Sequence, residues 1–401
     1  MYNLHLSAEQ LEFRDTVRDF VNDEIKPVTL NAQRLDLGDR SVPVEVLRKA
    51  SRMGLRTLAL PEEFGGVGAD ALTACIVTEE LAVGDAGIAA VLSETSALGR
   101  RLFGAMTQMQ RDRFLQPFLE DDDYHLALAD REPGADTALG VNYHRPVATA
   151  HRLATVARRD GRDFVIDGRK DSVANGPVAK LFAVEAMTDK GPALILVPRE
   201  TPGLSVAEQA GPRWYHGACG PLTLKDCRVP ADNLIGIGGP VDSGRSAPWF
   251  QALNLGIGRA AYEAALDYAA LRVQGGRPII EHQAIGTKLA DIAIRLEVAR
   301  SAIWRAAWAC DHPEAFADRS LDDLPLTTIA QIVTSEAIHR AAKDAAECFG
   351  AMGVMRDMPM QKYLNDARIC LHAGDGNADA RLRIAETLAN YRRGPATLAA
   401  E

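Results

Sequence analysis

The chain has 401 residues, 47% hydrophobic and 25% charged, which allows two or three ordinary domains and a large buried core. A formal net charge of -9 excludes a broad nucleic-acid or anionic-membrane face, which needs clustered Lys and Arg, so an anionic ligand must meet a local basic site. No stretch approaches the roughly 20 apolar residues of a membrane span, and the six cysteines show no metal-ligand spacing.

In chain order, MYNLHLSAEQLEF carries charge in an amphipathic pattern and lacks an apolar run with a cleavage site, so no export signal is predicted and a cytoplasmic protein is expected. The cysteines at 75, 219, 227, 310, 348 and 370 are then expected to be reduced, small core residues. Ser7 and Gln10 form a capping box, and apolar Leu11, Phe13, Val17, Phe20, Val21 and Ile25 recur at helical spacing until Pro27 is expected to stop the helix. Further helices are predicted at Pro43–Met53, Ala71–Val83, Ile88–Phe103 and Thr107–Leu119, with a glycine-rich turn, PEEFGGVG, between the first two.

From Tyr124 the period becomes strand-like. The runs at His125–Ala129, Leu153–Arg158, Asp163–Gly168, Lys180–Glu185, Ala193–Val197 and Leu222–Val229 are short, rich in β-branched residues and separated by Gly, Pro and Asp turns. Helical periodicity returns at Trp249–Val273, His282–Ala309, Thr327–Phe349, Met360–Leu371 and Ala380–Tyr391. The predicted fold class is α+β: an all-α N-terminal domain over 1–123, a middle antiparallel β-barrel or sandwich domain over 124–243, and a C-terminal four-helix bundle over 244–401.

Glu347–Gly376, ECFGAMGVMRDMPMQKYLNDARICLHAGDG, joins a helix end, a glycine turn, an amphipathic helix and a tight turn. Its glycines at 350, 353, 374 and 376 fit either close backbone approach to a ligand or helix C-caps. The order of features resembles the C-terminal domain of the acyl-CoA dehydrogenase superfamily, whose pattern Q-x-x-G-G-x-G, R-D-A, Y-E-G-T-N-E here reads Glu347, Gly350, Ala351, Gly353, then Asn365-Asp366-Ala367, then His372 to Asn377. P-E-E-F-G-G-x-G before E-E-L-A (Glu79 to Ala82) and V-P-x-x-N-x-x-G at Val229–Gly236 extend the likeness over essentially the whole chain.

The resemblance implies FAD held between the middle domain, the bundle and a neighbouring subunit, in a dimer or homotetramer. Arg272-Val-Gln-Gly-Gly-Arg-Pro-Ile-Ile-Glu-His-Gln283 is similar to R-x-Q-F-G-x-P-I-x-x-x-Q and makes Arg272 the diphosphate ligand, for which a forked guanidinium suits, with Gln283 beside it. Gly168–Gly176 resembles G-x-K-x-W-I-T-N-G with Ser172 at the Trp and Ala174 at the hydroxyl position; Ala127–Asp136 resembles A-L-T-E-P-G-A-G-S-D, in either of two registers. The implied cofactor contacts are thus Ala127, Ala129, Asp136, Ser172, Ala174, Arg272, Gln283, Glu347, Gly350, Ala351, Asp375 and Asn377, with no metal.

The Glu that takes the α-proton of a CoA thioester in most of the family corresponds to Ala373, and the alternative seat, ten residues before Gly256, is Ser246. Proton abstraction beside a thioester needs a carboxylate within hydrogen-bond reach. Asp375 and Glu94 are the candidate replacements, with His372 a third titratable neighbour. Three functions fit: FAD-dependent oxidation of an acyl-CoA-type thioester at Cα–Cβ, with an electron-transfer flavoprotein or oxygen as acceptor; a flavin monooxygenase or CoA-thioester eliminating enzyme; or a non-catalytic subunit paired with an active paralogue.

Overall fold

The computed structural model describes residues 5–35, 41–133, 153–209, 213–237, 247–316, 325–372 and 376–388. Helix α1 (Ala8–Phe20) opens on the capping box: Ser7 Oγ accepts from Gln10 N and Gln10 Oε1 from Ser7 N. The helix does not stop at Pro27. A π-helical turn (Val21–Ile25) bonds Lys26 N–H to Val21 O, and Pro27 sits at the start of a short α2 (Lys26–Thr29), where its missing N–H costs no helical bond.

Helices α3 (Val44–Arg52), α4 (Ala71–Gly84), α5 (Ala86–Ala105) and α6 (Gln108–Glu120) complete the N-terminal part. Asp70 caps α4 through Thr73 N, and Asp85 caps α5 through Ile88 N. Helix α4 is buried on nearly every side, so its Glu79 and Glu80 need counter-charges. Arg259 and Arg300 reach Glu79 at 2.8 and 2.7 Å, and Arg18 reaches Glu80 at 2.8 Å.

Strands β1 (His125–Ala129), β2 (Val156–Asp160), β3 (Asp163–Ala174), β4 (Ala179–Thr188), β5 (Gly191–Pro198), β6 (Leu204–Val206), β7 (Cys219–Pro230) and β8 (Leu234–Ile237) form one eight-stranded sheet, ordered β6-β7-β3-β2-β4-β5-β8 with β1 beside β4. Five pairings are antiparallel; β1 and β2 lie parallel to β4, so the sheet is mixed rather than wholly antiparallel. Alternation of side chains records which face a strand buries and not the direction of its neighbour, which is why sequence missed this.

Helices α7 (Pro248–Leu271), α8 (Gln283–Asp311), α9 (Leu326–Phe349) and α10 (Met360–Leu371) form the C-terminal bundle, with α11 (Gly376–Leu388) against α9 and a small hairpin of β9 (Val273–Gln274) and β10 (Arg277–Pro278) after α7. Helices α7 and α4 approach so closely that a Cβ on Gly256 would lie 2.4 Å from Glu79 O. Four cysteines are buried as expected, but Cys219 is half-buried and Cys310 exposed; none of the six is in a disulfide. No described helix is long and apolar enough to cross a membrane.

His125, under α5, is 2% exposed with Nδ1 3.3 Å from Thr95 Oγ1. Burial first, then the Arg56 guanidinium, pulls its pKa from 6.5 to about 4. Between those values the unfolded chain binds a proton that the folded ring refuses, so stability is present above 6.5 and drains as pH falls to 4. We expect a loss of roughly 3 kcal/mol over this window, read by urea unfolding at each pH, and a flatter profile for His125→Gln.

Candidate active site

A cleft of about 650 Å³ lies where the three parts meet. Helix α10 supplies Asn365, Arg368 and Ile369, and its C-capping residue His372 continues their spacing of three, four and seven along one face; the other face buries Lys362, Tyr363, Asp366 and Cys370. Helix α5 supplies Ala90 and, one turn on, Glu94; α7 supplies Trp249 and Phe250 from its first turn.

The sheet contributes its strand ends. Leu128 and Asp130 line the cleft, whereas Ala127 and Ala129, alternating with them, are fully buried in the core between the sheet's faces. Those two predicted contacts therefore place no side chain in the cleft. In β3 the pairing with β7 shifts register between Lys170 and Val173, and Ser172 sits at φ 51°, a bulge that turns it outward to the cleft beside Ala174. Asn175, at φ 61°, donates through Nδ2 to Val91 O, Thr95 Oγ1 and Leu126 O at 3.1–3.2 Å, tying the end of β3 to α5 and β1. The far wall is Arg213, Trp214 and Gly217–Cys219, with Trp214 5.9 Å from Phe250 and Phe250 5.8 Å from Trp249, centroid to centroid.

Glu94 and Asp130 are the carboxylates among the described lining residues, facing Arg131, Arg213 and Arg368. Asp130 Oδ1 accepts from the adjacent Arg131 N at 2.9 Å. Ala373 and Asp375 lie outside the described residues, as do Asp136 and Ser246. Asn377 lines neither cavity; its Nδ2 donates to Ser335 Oγ at 2.9 Å and Glu336 Oε1 at 3.2 Å on α9.

A second cavity, about 670 Å³, lies at the other end of α7. It brings together Arg272, Glu347, Gly350 and Ala351 with Tyr268, which stacks on Phe349 at 4.2 Å. Glu347 is held by Lys288, and Arg272 is exposed along the cavity wall. Gln283 is exposed at the start of α8 and does not line it, although His282 and Ile285 do. The two cavities share no lining residue and are separated by the 24-residue α7, about 36 Å of helix.

The sequence matches the acyl-CoA dehydrogenase N-terminal domain over residues 7–122, the middle domain over 147–227 and the C-terminal domain over 245–388. The chain belongs to the acyl-CoA dehydrogenase family. It is 30% identical over 406 residues to a probable acyl-CoA dehydrogenase, YngJ, of Bacillus subtilis, covering 96% of this chain and 99% of that one. It is 31% identical over 397 residues to the mitochondrial short-chain specific acyl-CoA dehydrogenase of Bos taurus, covering 94% and 90%. Butyryl-CoA dehydrogenase from Megasphaera elsdenii superposes with a TM-score of 0.82 at 25% identity over 97% of this chain and all of that one.

As an acyl-CoA dehydrogenase-like flavoenzyme its cofactor is FAD, and the residues present fit that group. The bulged β3 edge offers backbone groups beside Ser172 and Ala174, Trp214, Trp249 and Phe250 offer aromatic surface, and Arg272 offers a forked donor for a diphosphate. Sequence reasoning missed Arg213, Trp214, Asn365 and Arg368. The α10 pair carried a signal in their spacing with His372; the loop pair carried none. No group of His, Cys, Asp and Glu suited to a metal occurs among the described residues.

Proposed function

We propose that this flavoenzyme oxidises an acyl-CoA-type thioester across Cα and Cβ, and that Glu94 takes the α-proton. The observation that carries the reading is the position of Glu94 in the cleft that also holds Ser172, Ala174 and the α10 face. When bound, FAD supplies the acceptor for the hydride that leaves Cβ as the α-proton goes to a carboxylate. Glu94 would remove the proton, Arg368 and His372 would orient the polar end of the acyl thioester, and the Trp214–Phe250–Trp249 wall would exclude water beside the carboxylate, raising its basicity. An electron-transfer flavoprotein or oxygen would then take the electrons.

The separation of the cavities supports a homo-oligomer, a dimer or tetramer, in which Arg272 and Glu347 of one subunit complete the cofactor site of another. Anaerobic addition of a panel of acyl-CoAs should bleach the flavin with at least one of them. If none does, and oxygen uptake with a reductant yields a hydroxylated product, the monooxygenase reading, favoured by the small Ser172 at the cleft wall, replaces it. A flavin-loaded monomer in sedimentation would remove the shared-site assignment.

A further inference from the structure

The Trp214–Gly217 wall is held from behind by a buried charge cluster drawn from all three parts of the chain. Asp85 Oδ2 lies 2.6 Å from Nδ1 of His216 and 3.1 Å from Nζ of Lys362. Lys362 reaches on to Asp366 Oδ2 at 2.8 Å, and Asp366 Oδ1 accepts from the Tyr215 backbone N–H at 3.2 Å and the Asn365 amide at 3.1 Å. The same Asn365 amide donates to Arg213 O at 3.1 Å, and Nε2 of His216 faces Arg34 O at 3.3 Å. Asp85, His216 and Asp366 are completely buried and Lys362 is 2% exposed.

Burial works against both charged forms, yet Lys362 and His216 hold the Asp85 carboxyl well below its usual range, and Asp366 and Asp85 hold the Lys362 ammonium well above its own. Residues 213, 215 and 216 are therefore each bonded to the cluster or to its neighbour Asn365, with Trp214 between them. At Gly87 a Cβ would lie 2.3 Å from Gly217 N, so α5 and this wall meet backbone to backbone. Buried ion clusters often add little stability over apolar packing of the same volume, and in some proteins they set the register of the parts they join.

We propose that Lys362 is a positioning residue of the cleft: by serving Asp85 and Asp366 together it locks the 213–217 wall, and with it the Trp214 indole, against α5 and α10. Its effect is on where the wall sits, and only the substrate readout below rests on the acyl-thioester assignment.

Lys362→Met alone leaves the buried Asp366 without its counter-charge and risks unfolding the chain, so the informative variant is Lys362→Met with Asp366→Ala, which keeps the Asp85–His216 pair. The FAD-loaded double variant should melt within about 5 °C of the parent. Its Trp214 emission, isolated as the difference from the corresponding Trp214→Phe proteins, should move to the red and become quenchable by acrylamide. KM for a bleaching acyl-CoA should rise on the order of tenfold, with kcat changed less. Unchanged Trp214 emission in a folded double variant overturns the proposal whatever the substrate proves to be. Failure of the double variant to fold also overturns it, by making the cluster a determinant of stability alone.

Discussion

Replacing Glu94 by Gln should lower turnover of an acyl-CoA by about 10²- to 10⁴-fold while the purified protein stays yellow. The change keeps size and shape but replaces the anionic carboxylate with a neutral amide that cannot take a proton. Because Glu94 stands on α5, whose cleft face also includes Ala90, the loss should fall on kcat and kcat/KM alike and leave substrate affinity nearly unchanged. Rapid-reaction measurement of flavin bleaching isolates the step. Bleaching at the parent rate would assign the proton to another group and leave Glu94 as a lining residue.

Lys170→Met should destabilise the protein by roughly 3–5 kcal/mol, the usual result of stripping one partner from a buried ion pair. Lys170 is completely buried and sits 2.9 Å from Glu132 Oε1; the same carboxylate accepts from Ala154 N at 2.6 Å and Thr155 N at 2.9 Å. Burial alone would raise the Glu132 pKa, but hydrogen bonds from Lys170 and from the backbone N–H groups of Ala154 and Thr155 outweigh it and bring it to about 2. Its charged-state contribution is therefore present above about 4.5 and lost as pH falls toward 2. Adding Glu132→Gln to Lys170→Met should restore much of the loss in urea unfolding, since neither side then buries an uncompensated charge. A single variant within 1 kcal/mol of the parent would show that water reaches the pair.

This pair shows how motif likeness and physical role diverge. Lys170 and Glu132 stand in sequence patterns associated with flavin binding, yet here Glu132 ties Lys170 on β3 to the backbone of Ala154 and Thr155 just before β2. Helix α10 was legible to the residue because its apolar repeat is strong and Pro359 precedes it. The facing of β1 was not, since His125–Ala129 is buried throughout and offers no alternation from which to read phase. Arg272, Glu347, Gly350 and Ala351, grouped on resemblance from stretches more than seventy residues apart, line one cavity. The Asp85–His216–Lys362 cluster joins three distant stretches, and no periodicity within one sequence couples them.

The 24 residues of α7 leave one cavity at each end of a stiff rod. Under the proposed sharing of sites, a lesion at Arg272 would silence a neighbour while sparing the chemistry of its own chain. Subunits damaged at residue 272 and subunits damaged at residue 94, each inert by themselves, would then recover part of their activity when assembled together, as complementing halves of one another's defect.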